Sequence, residues 1–260
     1  MILFTIIPLF LIVYFAFTDA SGAFTMSNAE QAVKYIPALV KSISLAAIAT
    51  ILCLIFAYPF AFAMSRLSFA KQKMMSMLIM LPMWMNFLLR TYSWMTILEN
   101  NGLLNRFLGI FGIGPFEMIN TQGAVVLGMV YDYLPFMIVP LYTVMMKMDH
   151  SLVQAAQDLG ADPFQVFTHV ILPQTMQGIK TGITMVFVPS VSTFVISRML
   201  GGGSELMVGD LIEMQFGSNN YNPNLGSAIS LVLMIIVLIC MSVMNQFDSD
   251  NIDKEGRIAI

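Results

Sequence analysis

Charged residues are scarce in this chain, and their scarcity excludes a soluble fold. Lys, Arg, Asp and Glu make up 10% of the 260 residues, whereas hydrophobic residues make up 58%. Soluble domains carry about 25% charged residues. A soluble fold could bury so much apolar surface only if its core outgrew its solvent-exposed surface. Runs of about 20 apolar residues are long enough to cross a hydrocarbon layer roughly 30 Å thick. The composition therefore predicts an all-α integral membrane protein, because β-barrels show alternation instead of long apolar runs.

Residues that commonly carry chemistry are also few. The chain has no Gly-x-x-x-x-Gly-Lys-Ser/Thr sequence, so we expect it not to hydrolyse ATP itself. Cys53 and Cys240 lie in separate apolar segments without metal spacing and are expected to be packing residues. His150 and His169 are too isolated to predict a metal site. We therefore predict no catalytic residue, no metal and no cofactor in this chain.

Six apolar segments predict six membrane spans within a single transmembrane domain over 1–260. The spans lie at about 1–17, 37–64, 74–98, 122–146, 175–197 and 225–247. A signal peptide is the alternative for the first segment, but it would show a basic start and a small-residue cleavage site. The apolar run instead continues to a polar stop at Thr18 and Asp19. We therefore expect a true first span.

The distribution of Lys and Arg predicts which loops face the cytoplasm. Basic residues concentrate in the short cytoplasmic loops of membrane proteins. With six spans, one side carries Arg66, Lys71, Lys73, Lys147, Lys254 and Arg257, and the other carries Lys34, Arg106 and Arg198. We therefore expect both termini and the loop between spans four and five to be cytoplasmic.

Acidic residues gather on the opposite, predicted outer side. They are Asp19, Glu30, Glu99, Glu117, Glu205, Asp210 and Glu213. An acidic surface raises the local concentration of cationic solutes. The alternative interpretation is that these loops simply lack Lys and Arg and tolerate acids.

A polar stretch at 148–173 separates the fourth and fifth apolar segments. Ser151 and Gln154 have the spacing of a capping box, with Ser151 as N-cap. Ala155 and Ala156 favour a helix and would let a partner surface approach its backbone. Gly160 suits the left-handed position that ends a helix. The pattern predicts a short helix that ends at Gly160.

A second short helix is predicted directly after this glycine. Asp162 is placed as N-cap, Pro163 at the first helical position and Gln165 at the third. We refer to these two short helices and the turn at Gly160 between them, within 148–173, as the elbow. Pro173 marks where the elbow would enter span five. The alternative is an amphipathic surface helix without a partner, but such helices are usually rich in Lys and Arg, and 151–173 contains neither.

The spacing of this stretch resembles the EAA loop of ABC-importer permeases. Gln154-Ala155-Ala156 is followed after three residues by Gly160, and after nine more by Val170-Ile171-Leu172-Pro173. Gln154 and Val170 stand where the family has Glu and Ile. The resemblance implies six transmembrane helices of the permease type and a cytoplasmic coupling helix. The residues that it implies in contact with the ATPase are Gln154, Ala155, Ala156, Asp158, Gly160, Leu172 and Pro173.

Further segments resemble the spermidine/putrescine-type permeases. They are Leu81–Trp94, Gly102–Asn105, Tyr131–Met137 and Gly201–Phe216. This resemblance implies polyamine import across a bacterial inner membrane. It also implies a second permease subunit, two copies of a cytoplasmic ATPase that uses ATP and Mg, and an extracytoplasmic polyamine-binding protein. The ATPase would drive alternating access by pushing the elbow around Gly160.

A polyamine needs carboxylates for its ammonium ends and aromatic faces for its methylenes. Asp132 is the sharpest candidate, because an ionised residue inside an apolar span usually faces an interior or a water-filled path. Tyr131, Tyr92, Trp94 and Glu99 complete the candidate pathway.

Three of these candidates also have a structural interpretation. Asp132 would pair with Arg90 or Lys180, Trp94 would anchor the membrane interface, and Glu99 would cap the end of its span.

Other functions remain open. A permease of the same architecture would import an amino acid, an opine or an oxyanion, although outer acidity argues against the last. A secondary transporter predicts an inverted internal repeat, which the sequence does not display. A membrane scaffold without transport would leave Asp132 unexplained.

Overall fold

The computed structural model describes residues 2–19, 21–203, 206–217 and 221–258. Within these ranges the regular elements are helices, with one bridge pair between Thr18 and Phe24. This confirms the predicted all-α class. The chain divides into two compact units. The first comprises Met1–Ser44, Val191–Arg198 and Gly203–Ile260, and the second comprises Leu45–Ser190 and Met199–Gly202.

The helices are named here in chain order. They are α1 (Ile2–Ala16), α2 (Ser27–Val33), α3 (Ile36–Ser65), α4 (Phe69–Trp84), α5 (Phe87–Leu98), α6 (Leu103–Ile110), α7 (Gln122–Met145), α8 (His150–Asp158), α9 (Pro163–Val166), a π-helical turn (Phe167–Ile171), α10 (Leu172–Ser192), α11 (Val195–Leu200), α12 (Val208–Phe216) and α13 (Pro223–Ile258).

Three stretches of helix in the described ranges are long and apolar enough to cross a membrane. They are Ile36–Ser65, Gln122–Met145 and Pro223–Val243. A fourth is obtained when the bent pair Phe69–Trp84 and Phe87–Ile110 is counted as one span. α1 contributes a shorter apolar helix, Ile6–Ala16. The count of six spans and the single domain over 1–260 stay predictions.

The segment 74–98, predicted as one continuous span, is broken. Its two halves meet at an angle of 88°. Asn86 causes the restart, because its side chain accepts hydrogen bonds from the backbone N–H groups of Leu88 and Leu89 at 2.8 and 3.4 Å. These bonds satisfy donors that a new helix leaves free. Asn86 therefore ends the continuity that hydropathy alone indicated.

The core of the second unit forms where α3 and α10 pack on α7. Its fully buried members include Cys53, Met137 and Leu141. A Cβ on Gly178 would lie 3.1 Å from the carbonyl oxygen of Pro140, and one on Gly182 would lie 2.5 Å from the sulfur of Met137. These glycines let α10 approach α7 closely.

Candidate functional site

The polar stretch 148–173 begins with a helix whose cap differs from the prediction. α8 starts at His150, and Asp149 is its N-cap, since its Oδ1 accepts the backbone N–H of Ser151 at 2.9 Å. The predicted capping box of Ser151 and Gln154 is therefore wrong. Asp is as good an N-cap as Ser, and Asp149 lies where the chain leaves α7.

The glycine and the second cap agree with the sequence prediction. Gly160 has φ +85°, in the left-handed region that favours glycine. Oδ1 of Asp162 accepts the backbone N–H of Gln165 at 2.8 Å, and Oε1 of Gln165 accepts that of Asp162 at 3.1 Å. Pro163 occupies the first turn of α9. At the end of α8 the N–H groups of Gly160 and Ala161 donate to the carbonyls of Gln157 and Ala156, so the turn between α8 and α9 is held by local bonds at both helix ends.

The second half of the stretch is continuous with α10, which the sequence did not predict. Helical structure runs from Pro163 through the π-helical turn to Ser192 without a break. Pro173 is the second residue of α10 and therefore does not mark a junction. Proline has no N–H and its ring clashes with the carbonyl four residues earlier. The widened turn, in which Leu172 N–H donates to the Phe167 carbonyl, accommodates Pro173 without breaking the helix.

One face of this elbow is buried and the other carries exposed apolar side chains. Met148, Val153, Val166 and Ile171 form a small buried cluster, against which Ala156 packs. On the other face Leu159 is 89% exposed and Phe164 is 74% exposed. Gln154, Ala155, Asp158, Gly160 and Pro173 are also exposed, whereas Leu172 is half-buried.

Leu159 and Phe164 were not among the residues predicted to contact the ATPase. Both flank the turn at Gly160, and an apolar residue on either side of a polar turn was the available signal. We use "the elbow knob" for Leu159 and Phe164 together.

The second candidate site lies between α5 and α7. Nη2 of Arg90 is 3.2 Å from Oδ1 of Asp132, and both side chains are buried. Of the two predicted structural partners of Asp132, Arg90 is confirmed. Nε and Nη1 of Arg90 are buried without a hydrogen-bond partner among the described residues. The pair therefore links α5 to α7 through an ion pair that leaves part of the guanidinium unsatisfied.

Aromatic residues lie on the same two helices. Trp94 and Tyr131 meet edge to face, with their ring centroids 5.3 Å apart. Tyr131 is 36% exposed and Tyr92 is 55% exposed. Glu99 is exposed at the C-cap of α5, where its backbone N–H donates to the Met95 carbonyl at 3.0 Å. The structure brings Trp94 and Tyr131 together and places Glu99 at the end of the same helix.

Asp210 and Glu213, the two predicted outer acids that lie on α12, have structural partners. Asp210 is buried, and its Oδ2 accepts from the Ser197 hydroxyl at 2.7 Å and from the Met207 N–H at 2.8 Å. Burial raises the pKa of Asp210, and the hydrogen bond from Ser197 opposes that rise. Glu213 pairs with Arg198 at 2.8 Å. These acids contribute less free charge than the sequence indicated, and Glu205 lies outside the described residues.

Comparison with known proteins gives a consistent result. Residues 1–249 match the family model of the binding-protein-dependent transport system inner membrane component. The spermidine/putrescine transport system permease protein PotB of Haemophilus influenzae is 38% identical over 253 residues, covering 94% of this chain and 88% of the relative. PotB of Escherichia coli is 35% identical over 247 residues, covering 91% and 90%.

A solved structure shares the fold. It is the crystal structure of a bacterial ABC transporter involved in the import of the acidic polysaccharide alginate. It matches with a TM-score of 0.74 over 96% of this chain and 91% of the other, at 15% identity. At that identity the likeness concerns the fold alone.

Proposed function

We propose, because this chain belongs to the family of binding-protein-dependent transport system inner membrane components, that it is a permease subunit of an ATP-driven importer of polyamines. The observation that carries the proposal is its 38% identity, over 94% of its length, to a spermidine/putrescine permease. Spermidine and putrescine are the substrates proposed here. Amino acids, opines and oxyanions are the alternative substrates, against which the uptake experiment below tests.

The aromatic pair of α5 and α7 supports a cationic solute. A ring face attracts an ammonium ion and also packs against methylene groups. Tyr131 and Trp94 form such a surface, with Tyr92 exposed on α5. In this proposal Tyr131, Trp94 and Tyr92 contact the solute and Glu99 binds an ammonium end. Asp132 holds Arg90 and thereby fixes α5 against α7.

The elbow supports docking of a separate ATPase. An exposed apolar pair at a fixed turn is a typical anchor for a protein partner, and Leu159 and Phe164 form one. Gln154, Ala155, Ala156, Asp158 and Gly160 line the same turn and the helix before it. Because α9 continues into α10, a push on the elbow knob would be transmitted along one helix through Leu172 and Pro173.

The remaining parts of the importer follow from this assignment. The chain would cross the bacterial inner membrane six times with both termini in the cytoplasm. It would pair with a second, non-identical permease subunit, and an extracytoplasmic polyamine-binding protein would deliver the solute. Two copies of the cytoplasmic ATPase would bind and hydrolyse ATP with Mg, so that this chain needs no cofactor of its own.

Uptake of labelled spermidine by the importer in liposomes tests the substrate. We expect uptake to require ATP and the binding protein. Excess putrescine should reduce the uptake of spermidine by competition. Tyr131→Leu should lower uptake about thirtyfold, since a desolvated cation–π contact contributes roughly 2 kcal/mol. Phe136→Leu is the matched control, because Phe136 lies on the same helix with nearly equal exposure, 37% against 36%. Equal uptake by both variants would remove Tyr131 from the pathway, and no competition by putrescine would reject a polyamine substrate.

Copurification tests docking at the elbow knob. Phe164→Ser should weaken ATPase association at least about tenfold, because burying a Phe side chain contributes roughly 1.5–3 kcal/mol. Phe69→Ser is the control, since Phe69 is 78% exposed on the other loop predicted to be cytoplasmic. An ATPase that copurifies equally well with both variants contradicts docking at this surface.

A further inference from the structure

A polar cavity of about 1140 Å³ lies in the first unit, where the end of α1 meets α2 and the start of α13. Tyr14, Tyr35 and Tyr221 contribute aromatic surface to its wall. Asp19, Asn28 and Asn224 contribute carboxylate and amide groups. All of these residues belong to the first unit, so the cavity does not involve the aromatic pair of α5 and α7.

The floor of the cavity is fixed by two buried amides. Nδ2 of Asn28 donates to the carbonyl oxygens of Thr18 and Ala16 at 2.8 and 3.3 Å. Nδ2 of Asn224 donates to the same Thr18 carbonyl at 2.6 Å and to that of Phe15 at 3.2 Å. Asn28 is 6% exposed and Asn224 is 9% exposed. Because both side chains use their nitrogen in these bonds, each keeps its oxygen as an acceptor.

Asp19 is held in place as an anion at the same end of α1. Its Oδ1 accepts from the Ser21 N–H, the Ser21 hydroxyl and the Ala23 N–H at 2.8, 2.6 and 3.0 Å. The hydrogen bonds from the Ser21 hydroxyl and the Ala23 N–H lower the pKa of Asp19. All three bonds end on Oδ1, which leaves Oδ2 as the acceptor for a ligand.

The charges of the wall select the class of ligand. None of the described residues that line the cavity is Lys, Arg or His, so no side chain of the wall neutralises Asp19. Acceptor oxygens and tyrosine faces around one carboxylate suit an ammonium group with an apolar stem. An anion would be repelled by Asp19, whereas an ammonium group donates a charge-assisted hydrogen bond to it.

We propose that this cavity is a binding site for an organic diamine or polyamine, in addition to the aromatic pair of α5 and α7. Asp19 binds one ammonium group, the amide oxygens of Asn28 and Asn224 accept further N–H bonds, and the tyrosines cover the methylene stem. Diamine binding to the cavity is measured without turnover, so it is tested separately from the proposed transport cycle.

Equilibrium dialysis of labelled 1,4-diaminobutane against the purified assembled importer, without nucleotide or binding protein, tests this site. Asp19→Asn retains an Oδ1 that accepts the bonds from Ser21 and Ala23, and replaces the free carboxylate oxygen Oδ2 with an uncharged NH2 group. It should weaken binding of one diamine per permease about tenfold, since a hydrogen bond to a charged group is worth roughly 1.5 kcal/mol. Tyr221→Leu should also weaken this binding, and it endangers the fold little because Tyr221 is 70% exposed.

Glu30→Gln is the matched control, because Glu30 is an exposed acid of α2 that does not line the cavity. Binding should be unchanged in this variant. Equal weakening by Asp19→Asn and Glu30→Gln would mean a general surface-charge effect and would overturn the proposal. Unchanged diamine binding in Asp19→Asn, with weaker association of the binding protein, would assign the cavity to a lysine side chain of that protein and would also overturn it. If the unmodified importer binds the diamine but takes up no spermidine, that result would count against the proposed function alone.

Discussion

Asp132 and Arg90 form an ion pair whose value depends on both partners being present. A buried ion pair stabilises the folded state little more than an apolar pair of similar volume would, but a single buried charge without a partner is strongly destabilising. Nε and Nη1 of Arg90 already lack partners among the described residues. The guanidinium therefore depends on Asp132 for its compensation, and the pair positions the two helices that carry Trp94 and Tyr131.

Removing the charge of one member of this pair should lower the stability of the protein more than removing both charges. Asp132→Asn is expected to lower the stability of the purified chain by about 3 kcal/mol, because it leaves a buried guanidinium without a counter-charge. The double variant Arg90→Met with Asp132→Leu should recover more than half of that loss. Thermal unfolding in lipid nanodiscs measures both. Additive losses in the double variant would show that the pair does not couple α5 to α7.

At Gly160 the backbone conformation matters more than contacts with neighbouring atoms. A Cβ there would meet no atom within 4 Å, yet φ is +85°. A substitution therefore strains the turn by about 1–2 kcal/mol without a steric clash. The turn joins α8 to the helix that continues into α10, so strain at Gly160 acts on the proposed coupling path.

Gly160→Leu should lower the solute transported per ATP several-fold while ATP hydrolysis continues. Gly203→Leu is the control, since Gly203 has φ +77° and equally open surroundings outside the elbow. Parallel measurement of ATP hydrolysis and uptake in liposomes gives the ratio for each variant. A Gly160→Leu importer with normal coupling would contradict the role proposed for this turn.

Local patterns in the elements were predictable from sequence, whereas tertiary contacts were not. The Asp162–Gln165 capping box and the conformation of Gly160 depend on neighbouring residues alone, and both are confirmed. The start of α8 was misplaced because Asp149 and Ser151 are both good N-caps, and spacing does not rank them.

Two features could not be predicted from local patterns. They are the break at Asn86 and the pairing of Arg90 with Asp132. An apolar run hides the break, because hydropathy counts side chains and not the bonds that restart a helix at Asn86. The pairing was left open between Arg90 and Lys180, because it depends on which helices pack on α7. The exposure of Leu159 and Phe164 likewise requires knowing which face of the elbow is buried.

At the start of α12, Asp210 makes stability depend on pH. Burial raises the pKa of Asp210 above its ordinary value of 3.8. The folded state therefore binds the proton more tightly than the unfolded state. This contribution to stability is complete below pH 3.8 and is lost as the pH rises through the folded pKa.

Thermal unfolding between pH 4 and 7 should show this loss in the unmodified protein and a smaller loss in Asp210→Asn. The asparagine carries no charge, while its oxygen can still accept from Ser197 and Met207. Glu30→Gln, which changes an exposed acid, should retain the pH dependence of the unmodified protein. An Asp210→Asn variant whose midpoint falls as steeply would assign the titration to another group.

For the whole molecule, the bent pair of α4 and α5 decides the topology. If the pair crosses the membrane, as the prediction of six spans requires, the loops before α4 and after α6 lie on opposite sides. If the pair is re-entrant, both loops lie on the same side. The bend of 88° is compatible with either arrangement. The basic residues Arg66, Lys71 and Lys73 predict only that the loop before α4 is cytoplasmic, so the side on which the loop after α6 lies separates the two arrangements.

Cysteine labelling separates the two arrangements. In a chain with Cys53 and Cys240 replaced by Ala, a membrane-impermeant thiol reagent should label Glu117→Cys in intact cells but Lys71→Cys only after permeabilisation. Ser151→Cys, in the elbow, should behave like Lys71→Cys, since an ATPase partner requires that side to be cytoplasmic. Labelling of Lys71→Cys and Glu117→Cys under the same condition would make α4 and α5 a re-entrant hairpin. The chain would then have fewer spans than six, and only one of its termini could share the compartment of the elbow.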